Sequence, residues 1–174
     1  MNVEVGADNP GVQGPDVPMA TEVAGLLTRV SLGWFLMHQG WGKVVLDWNE
    51  GLGAFYRSES FQGRNPAWLP ELIAAPYGYA LPLAEFVFGA LLIIGLFTRV
   101  TAAASAIIFI SIAVALLNGG GFIPRHALMV FIPLAIYFML TGPGRFSTDA
   151  FLANRRKAER AGPRTREKPA VTAG

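Results

Sequence analysis

Four apolar runs, separated by short polar breaks, organise this chain at residues 23–45, 79–97, 100–117 and 127–141. A hydrocarbon core of about 30 Å needs roughly 20 apolar residues at 1.5 Å rise each, with about 17 as the short limit. The first three runs meet that length, and the fourth reaches it by borrowing residues 123–126. The pattern therefore predicts four membrane-spanning helices, with a re-entrant fourth segment as the competing arrangement. Only Thr98 and Arg99 separate the second and third runs, which predicts a tight antiparallel helical hairpin. The connection over residues 46–77 carries Trp48, Phe55, Tyr56, Phe61 and Trp68 among several prolines. Trp and Tyr favour the membrane–water interface, so this loop is expected to fold against the membrane surface, with residues 47–59 as one short interfacial helix. Residues 1–20 are rich in Gly, Pro and acids without apolar periodicity, which predicts a disordered tail. The tail lacks the basic and apolar regions of a signal peptide, so insertion is expected through the first span.

Composition agrees with a membrane location. The 174 residues are 52% hydrophobic and 15% charged, where soluble domains carry about 25% charged residues, and the mean hydropathy is +0.41. With no cysteine there is no thiol relay, no iron–sulfur or zinc–thiolate site and no disulfide. Charge is uneven. Residues 1–28 hold Glu4, Asp8, Asp16 and Glu22 without any Lys or Arg, whereas residues 142–174 hold Arg145, Arg155, Arg156, Lys157, Arg160, Arg164, Arg166 and Lys168. Basic loops stay on the cytoplasmic side. Both termini are therefore expected in the cytoplasm, with Arg99 on the same side and Lys43, Arg57, Arg64 and Arg125 outside. The expected organisation is a tail (1–20), an all-α four-helix transmembrane domain (21–153) and a basic cytoplasmic tail (154–174). In the last segment Ser147 or Thr148 is the expected helix N-cap with Asp149 in the first turn. Phe146, Phe151 and Leu152 are expected on the membrane surface, with the basic residues that follow near lipid headgroups.

Ionisable residues inside spans are rare and face a bundle interior or a wet cavity. Arg29, His38 and Glu85 are the candidates here. Glu85 lies about 9 Å below the outer end of span two and His38 about 10 Å below that of span one, so antiparallel neighbours would bring the two to one level. Gly78, Pro82, Glu85, Gly89 and Leu96 share a stripe whose small residues permit close helix approach. Arg29, Gly33 and Gly40 make a similar stripe on span one. His38 sits about 180° around from Arg29, so His38 is expected to face inward and Arg29 to snorkel toward cytoplasmic phosphates. Glu85 and His38 are the candidate catalytic or proton-handling pair, with helix-to-helix glue as the alternative. Lys43, Asn118, Arg125 and His126 form a candidate anion-binding cluster at the outer surface. Two histidines are too few for a dihaem bundle, and neither metal nor haem is expected; nucleic acid is not an expected partner.

The stretches "LLTRVSLGWFLMHQGWGKV", "LAEFVFGALLIIGLFTRVTA" and "LTGPGRFSTDAFL" together resemble the DoxX/DoxD family of small four-helix membrane proteins, over about residues 24–153. The motif positions are Gly40 and Lys43, Glu85, Gly89 and Gly95, Arg99, and Gly144, Arg145 and Asp149. The resemblance implies a multi-pass protein of the bacterial cytoplasmic (inner) membrane. Namesake members are subunits of a thiosulfate:quinone oxidoreductase, so it also implies quinone as cofactor and a redox partner subunit or homo-oligomer. A non-catalytic membrane scaffold or assembly subunit is the alternative from a different class.

Overall fold

The structure, a computed structural model, describes residues 19–118 and 125–161, and these are helical with no strand among them. Helix α1 spans Met19–Glu50, followed by the single-turn helices α2 (Ala54–Arg57) and α3 (Glu59–Gln62). The remaining helices are α4 (Glu71–Ile94), α5 (Thr98–Asn118), α6 (Arg125–Thr141) and α7 (Thr148–Ala161). The expected disordered tail, and most of the basic tail beyond α7, fall outside the described residues.

Helices α4 and α5 are long and apolar enough to cross a membrane, and the apolar part of α6, Leu128–Thr141, is shorter. Only 33% of the apolar window of α4 is buried inside the protein. Leu83, Val100, Ile107, Met129 and Leu140 point outward and are more than half exposed. An apolar exterior of this extent fits lipid rather than water as the surrounding medium.

Helix α1 packs along α4, α5 packs along α6, α4 also meets α5, and α1 touches α6. Phe35 of α1, Phe109 of α5 and Phe131 of α6 stack at the centre, with ring centroids 4.4–6.3 Å apart. The α1–α4 contact is the closest. A methyl group on Gly33 would lie 2.7 Å from the Gly89 carbonyl oxygen, and one on Gly40 would lie 2.9 Å from Cβ of Glu85. Backbones this near exclude any side chain at Gly40 or Gly89, which is the use of small residues on a helix stripe.

The α4–α5 turn differs from the expected "TR" break, because Thr98 and Arg99 already belong to α5. The turn is Gly95–Leu96–Phe97. Gly95 adopts φ 69°, and its amide donates to Leu91 and Leu92 carbonyls while Leu96 N–H reaches Leu91 O. That is a Schellman stop, which calls for glycine at the left-handed position. The α1–α4 connection is folded, as expected, but as two separate turns rather than one helix over 47–59. Asp47 accepts the Phe55 amide at 2.8 Å, Ser58 caps α3, and Tyr56 stacks on Tyr79 at 5.2 Å. Helix α4 starts well before residue 79 and carries Pro76 and Pro82 within it.

Candidate functional site

The buried stripe of α1 runs Arg29, Gly33, Leu36, Gly40, and the next residue on that face is Lys43. Opposite it, α4 presents Gly78, Pro82, Glu85 and Gly89, all buried. Gly40 is level with Glu85, so the Lys43 side chain descends about one turn to meet the acid. Lys43 Nζ lies 2.5 and 2.6 Å from the two carboxylate oxygens of Glu85, a bidentate ion pair with Glu85 fully buried. The ammonium also sits 4.9 Å from the centre of the Phe55 ring, a cation–π contact that ties α2 to the pair.

The expected meeting of His38 and Glu85 does not occur. His38 is exposed, its ring stacked on Trp34 with centroids 6.5 Å apart, and Arg29 rather than His38 occupies the inward face. The angular argument separated these two residues correctly but assigned the faces the wrong way round. Gly33 and Gly40 share the Arg29 stripe, and close approach through glycine decides which face turns inward. Lys43 continues that stripe, and this spacing was the signal that would have found Glu85's partner.

The pair lines a cavity of about 380 Å³ between α1, α4, α5 and the segment that joins α1 to α4. Its walls are mostly apolar, including Phe55, Trp68, Ile73 and Leu81, with Gln39, Ser60, Arg64 and Asn65 as further polar groups. Tyr77 on α4 and Ser111 on α5 hydrogen-bond each other within the same wall. A pocket of a few hundred Å³ with apolar walls and few convergent polar groups is the usual form of a small-molecule site. Of the expected anion cluster, Lys43 is committed to Glu85. The side chains of Asn118, Arg125 and His126 lie outside the described residues.

The other end of the molecule holds a second polar knot. Arg29 is 3% exposed, and its guanidinium donates to Pro143 O at 2.5 Å and Phe146 O at 2.7 Å. It therefore does not snorkel outward; it fastens the α6–α7 connection to α1. Gly95 abuts that guanidinium, and Gly144, at φ 66°, lets the chain turn beside Glu22, which accepts the Arg145 amide at 3.1 Å. Ser147 is the N-cap of α7, as expected, accepting from Ala150 N–H at 3.0 Å. Asp149 sits in the first turn of α7, as expected, yet its carboxylate serves α5, accepting the Phe97 amide and the Thr98 amide and hydroxyl at 2.8–3.0 Å. Burial alone would raise the Asp149 carboxyl, but those hydrogen bonds and the Arg29 charge outweigh it and hold it below the ordinary carboxylate range. Arg99 is exposed, beside Gly142.

These features define a small all-helical membrane protein with a buried ion pair beside a largely apolar cavity. The chain belongs to the DoxX family, whose profile matches residues 24–118. A second profile, described as the TQO small subunit DoxD, matches residues 79–162 and so covers the α4–α5 hairpin and the Asp149 knot. No curated protein and no solved structure matches the chain.

Proposed function

We propose that this protein is a quinone-linked redox subunit of the bacterial inner membrane, with the cavity beside Lys43 and Glu85 as its quinone site. In this reading α1, α4, α5 and α6 cross the membrane as a four-helix bundle with both termini cytoplasmic, so the cavity opens in the outer half. The basic residues of α7 support that orientation.

The observation that carries the reading is a fully buried carboxylate, paired with a lysine, in the wall of a largely apolar 380 Å³ cavity. The walls fit a flat apolar ring, and the ion pair fits its carbonyl oxygen. A quinone supplies two-electron, two-proton redox chemistry when bound. Lys43 holds three N–H donors, of which the Glu85 oxygens use two, so one remains to orient a carbonyl. Glu85 stabilises the ammonium and is positioned to take or give a proton beside it. Apolar walls exclude water from that exchange. The electrons come from an anionic reductant such as thiosulfate, delivered through a partner subunit, as the description of the DoxD profile suggests.

Trp68 lines the cavity, so its fluorescence is the natural probe. Quenching by a short-chain quinone should saturate, and Lys43→Met should weaken it about tenfold or more, the loss of one charge-assisted hydrogen bond. Thiosulfate-dependent quinone reduction in membranes should fall with it. Saturable quenching and reduction that both survive Lys43→Met with Glu85→Gln would remove the proposal. A scaffold role instead predicts co-purification of a partner that is lost on deleting residues 155–174 and indifferent to Glu85→Gln.

A further inference from the structure

At the Arg29 end lies a second cavity, about 260 Å³, that the redox reading does not use. Its floor on α1 is Glu22, Gly25 and Arg29, one helix face at steps of three and four, with Tyr137, Pro143 and Phe146 opposite. Three observations bear on its ligand. Arg29 is 3% exposed, and its Nε–H has no hydrogen-bond partner among the described residues although both terminal nitrogens are used. No carboxylate among the described residues lies within 4 Å of this cation, and Asp149 acts on it only from farther off. Gly25 has nothing within 4 Å of where a Cβ would stand, so the floor is open between the two charged residues.

A simple anion would be drawn to Arg29 but repelled by Glu22, whose carboxylate lies on the same wall. The two residues are about 10 Å apart along α1, with Glu22 nearer the helix end. A ligand that carries both charges satisfies both: an acidic oxygen deep, at Arg29, and an ammonium shallow, at Glu22. In a bilayer leaflet the phosphate lies deeper than the amine, which is the same order. We infer that this cavity binds the headgroup of a zwitterionic phospholipid with a primary ammonium, phosphatidylethanolamine chemistry, its phosphate on the Arg29 guanidinium and its ammonium on Glu22. The inference rests on the membrane location and not on the redox reading, since neither quinone nor the Lys43–Glu85 pair enters it.

The test uses the full chain purified in detergent and followed by thermal unfolding. Dihexanoyl-phosphatidylethanolamine at ten times its dissociation constant should raise the midpoint by about 2–5 °C. Dihexanoyl-phosphatidylglycerol, which has phosphate but no amine, should give less than half that shift. Gly25→Leu fills open space, so it should unfold like the unaltered chain without lipid and lose the shift on adding it. Glu22→Gln should abolish the preference for ethanolamine over glycerol. An equal response to both lipids, an undiminished shift in Gly25→Leu, or no shift with either lipid would overturn the inference. A full shift from glycerophosphoethanolamine, which lacks acyl chains, would overturn the lipid as its source.

Discussion

Lys43 and Glu85, 42 positions apart in sequence, form one bidentate pair across the α1–α4 contact. The pair stands where two glycine-lined helices come close enough to exclude water, and its polar atoms face a cavity rather than lipid. Removing one partner leaves the other charge stranded. Glu85→Leu should therefore cost about 3 kcal/mol, the low end for a broken buried pair because Lys43 keeps 22% of its side-chain surface exposed. Adding Lys43→Met should restore most of that loss while quinone binding stays lost. A double-mutant cycle by denaturant titration in micelles checks the coupling, and additive losses would count against it.

His38→Ala should leave both stability and quinone affinity within about twofold, the ordinary range for a surface substitution. The residue faces outward against Trp34. Fluorescence titration of the variant gives the answer, and a tenfold loss of affinity would return His38 to the site.

Gly89→Ala should separate α1 from α4, because the added methyl meets the Gly33 carbonyl at 2.7 Å as well as the backbone of Met37. Overpacking of this kind costs about 1–3 kcal/mol. Denaturant titration in micelles should show that loss, and an unchanged midpoint would count against the close contact.

Asp149→Ala should cost about 1 kcal/mol, the usual loss for a helix cap. The sign of its pH dependence follows from the lowered folded value. The stabilisation is complete above the ordinary carboxylate value of 3.8 and disappears as pH falls through the lower folded value. Thermal melts of the unaltered chain and of Asp149→Asn should therefore differ at pH 6 and draw together as the pH falls well below 3.8.

Apolar run length marked the long helices, and small residues marked the buried face of α4. Glu85 was legible as a buried acid for the same reason. Its partner was not, because equal depth was reckoned from span ends, and α1 and α4 both extend beyond their apolar runs. The glycine contacts set the true register, with Gly40 rather than His38 level with Glu85. Arg29 was misjudged because snorkelling is the default for a lone arginine near a membrane edge. The carbonyls of Pro143 and Phe146 offer it a closer destination, more than a hundred residues away, that periodicity does not report. The "GPGRFSTDA" stretch showed its own cap, Ser147, but gave no sign that Asp149 caps another helix.

That long-range cap ties the order of synthesis to the order of folding. The start of α5 emerges from the ribosome about fifty residues before Asp149 exists to receive its amides. Arg29 likewise waits for Pro143 and Phe146. A nascent chain can form its α4–α5 hairpin early but cannot finish the turn at its tip until the last helix arrives. The C-terminal turn thus acts as a completion latch: a chain truncated before it leaves the Phe97 and Thr98 amides and the Arg29 guanidinium without the partners they have in the finished fold.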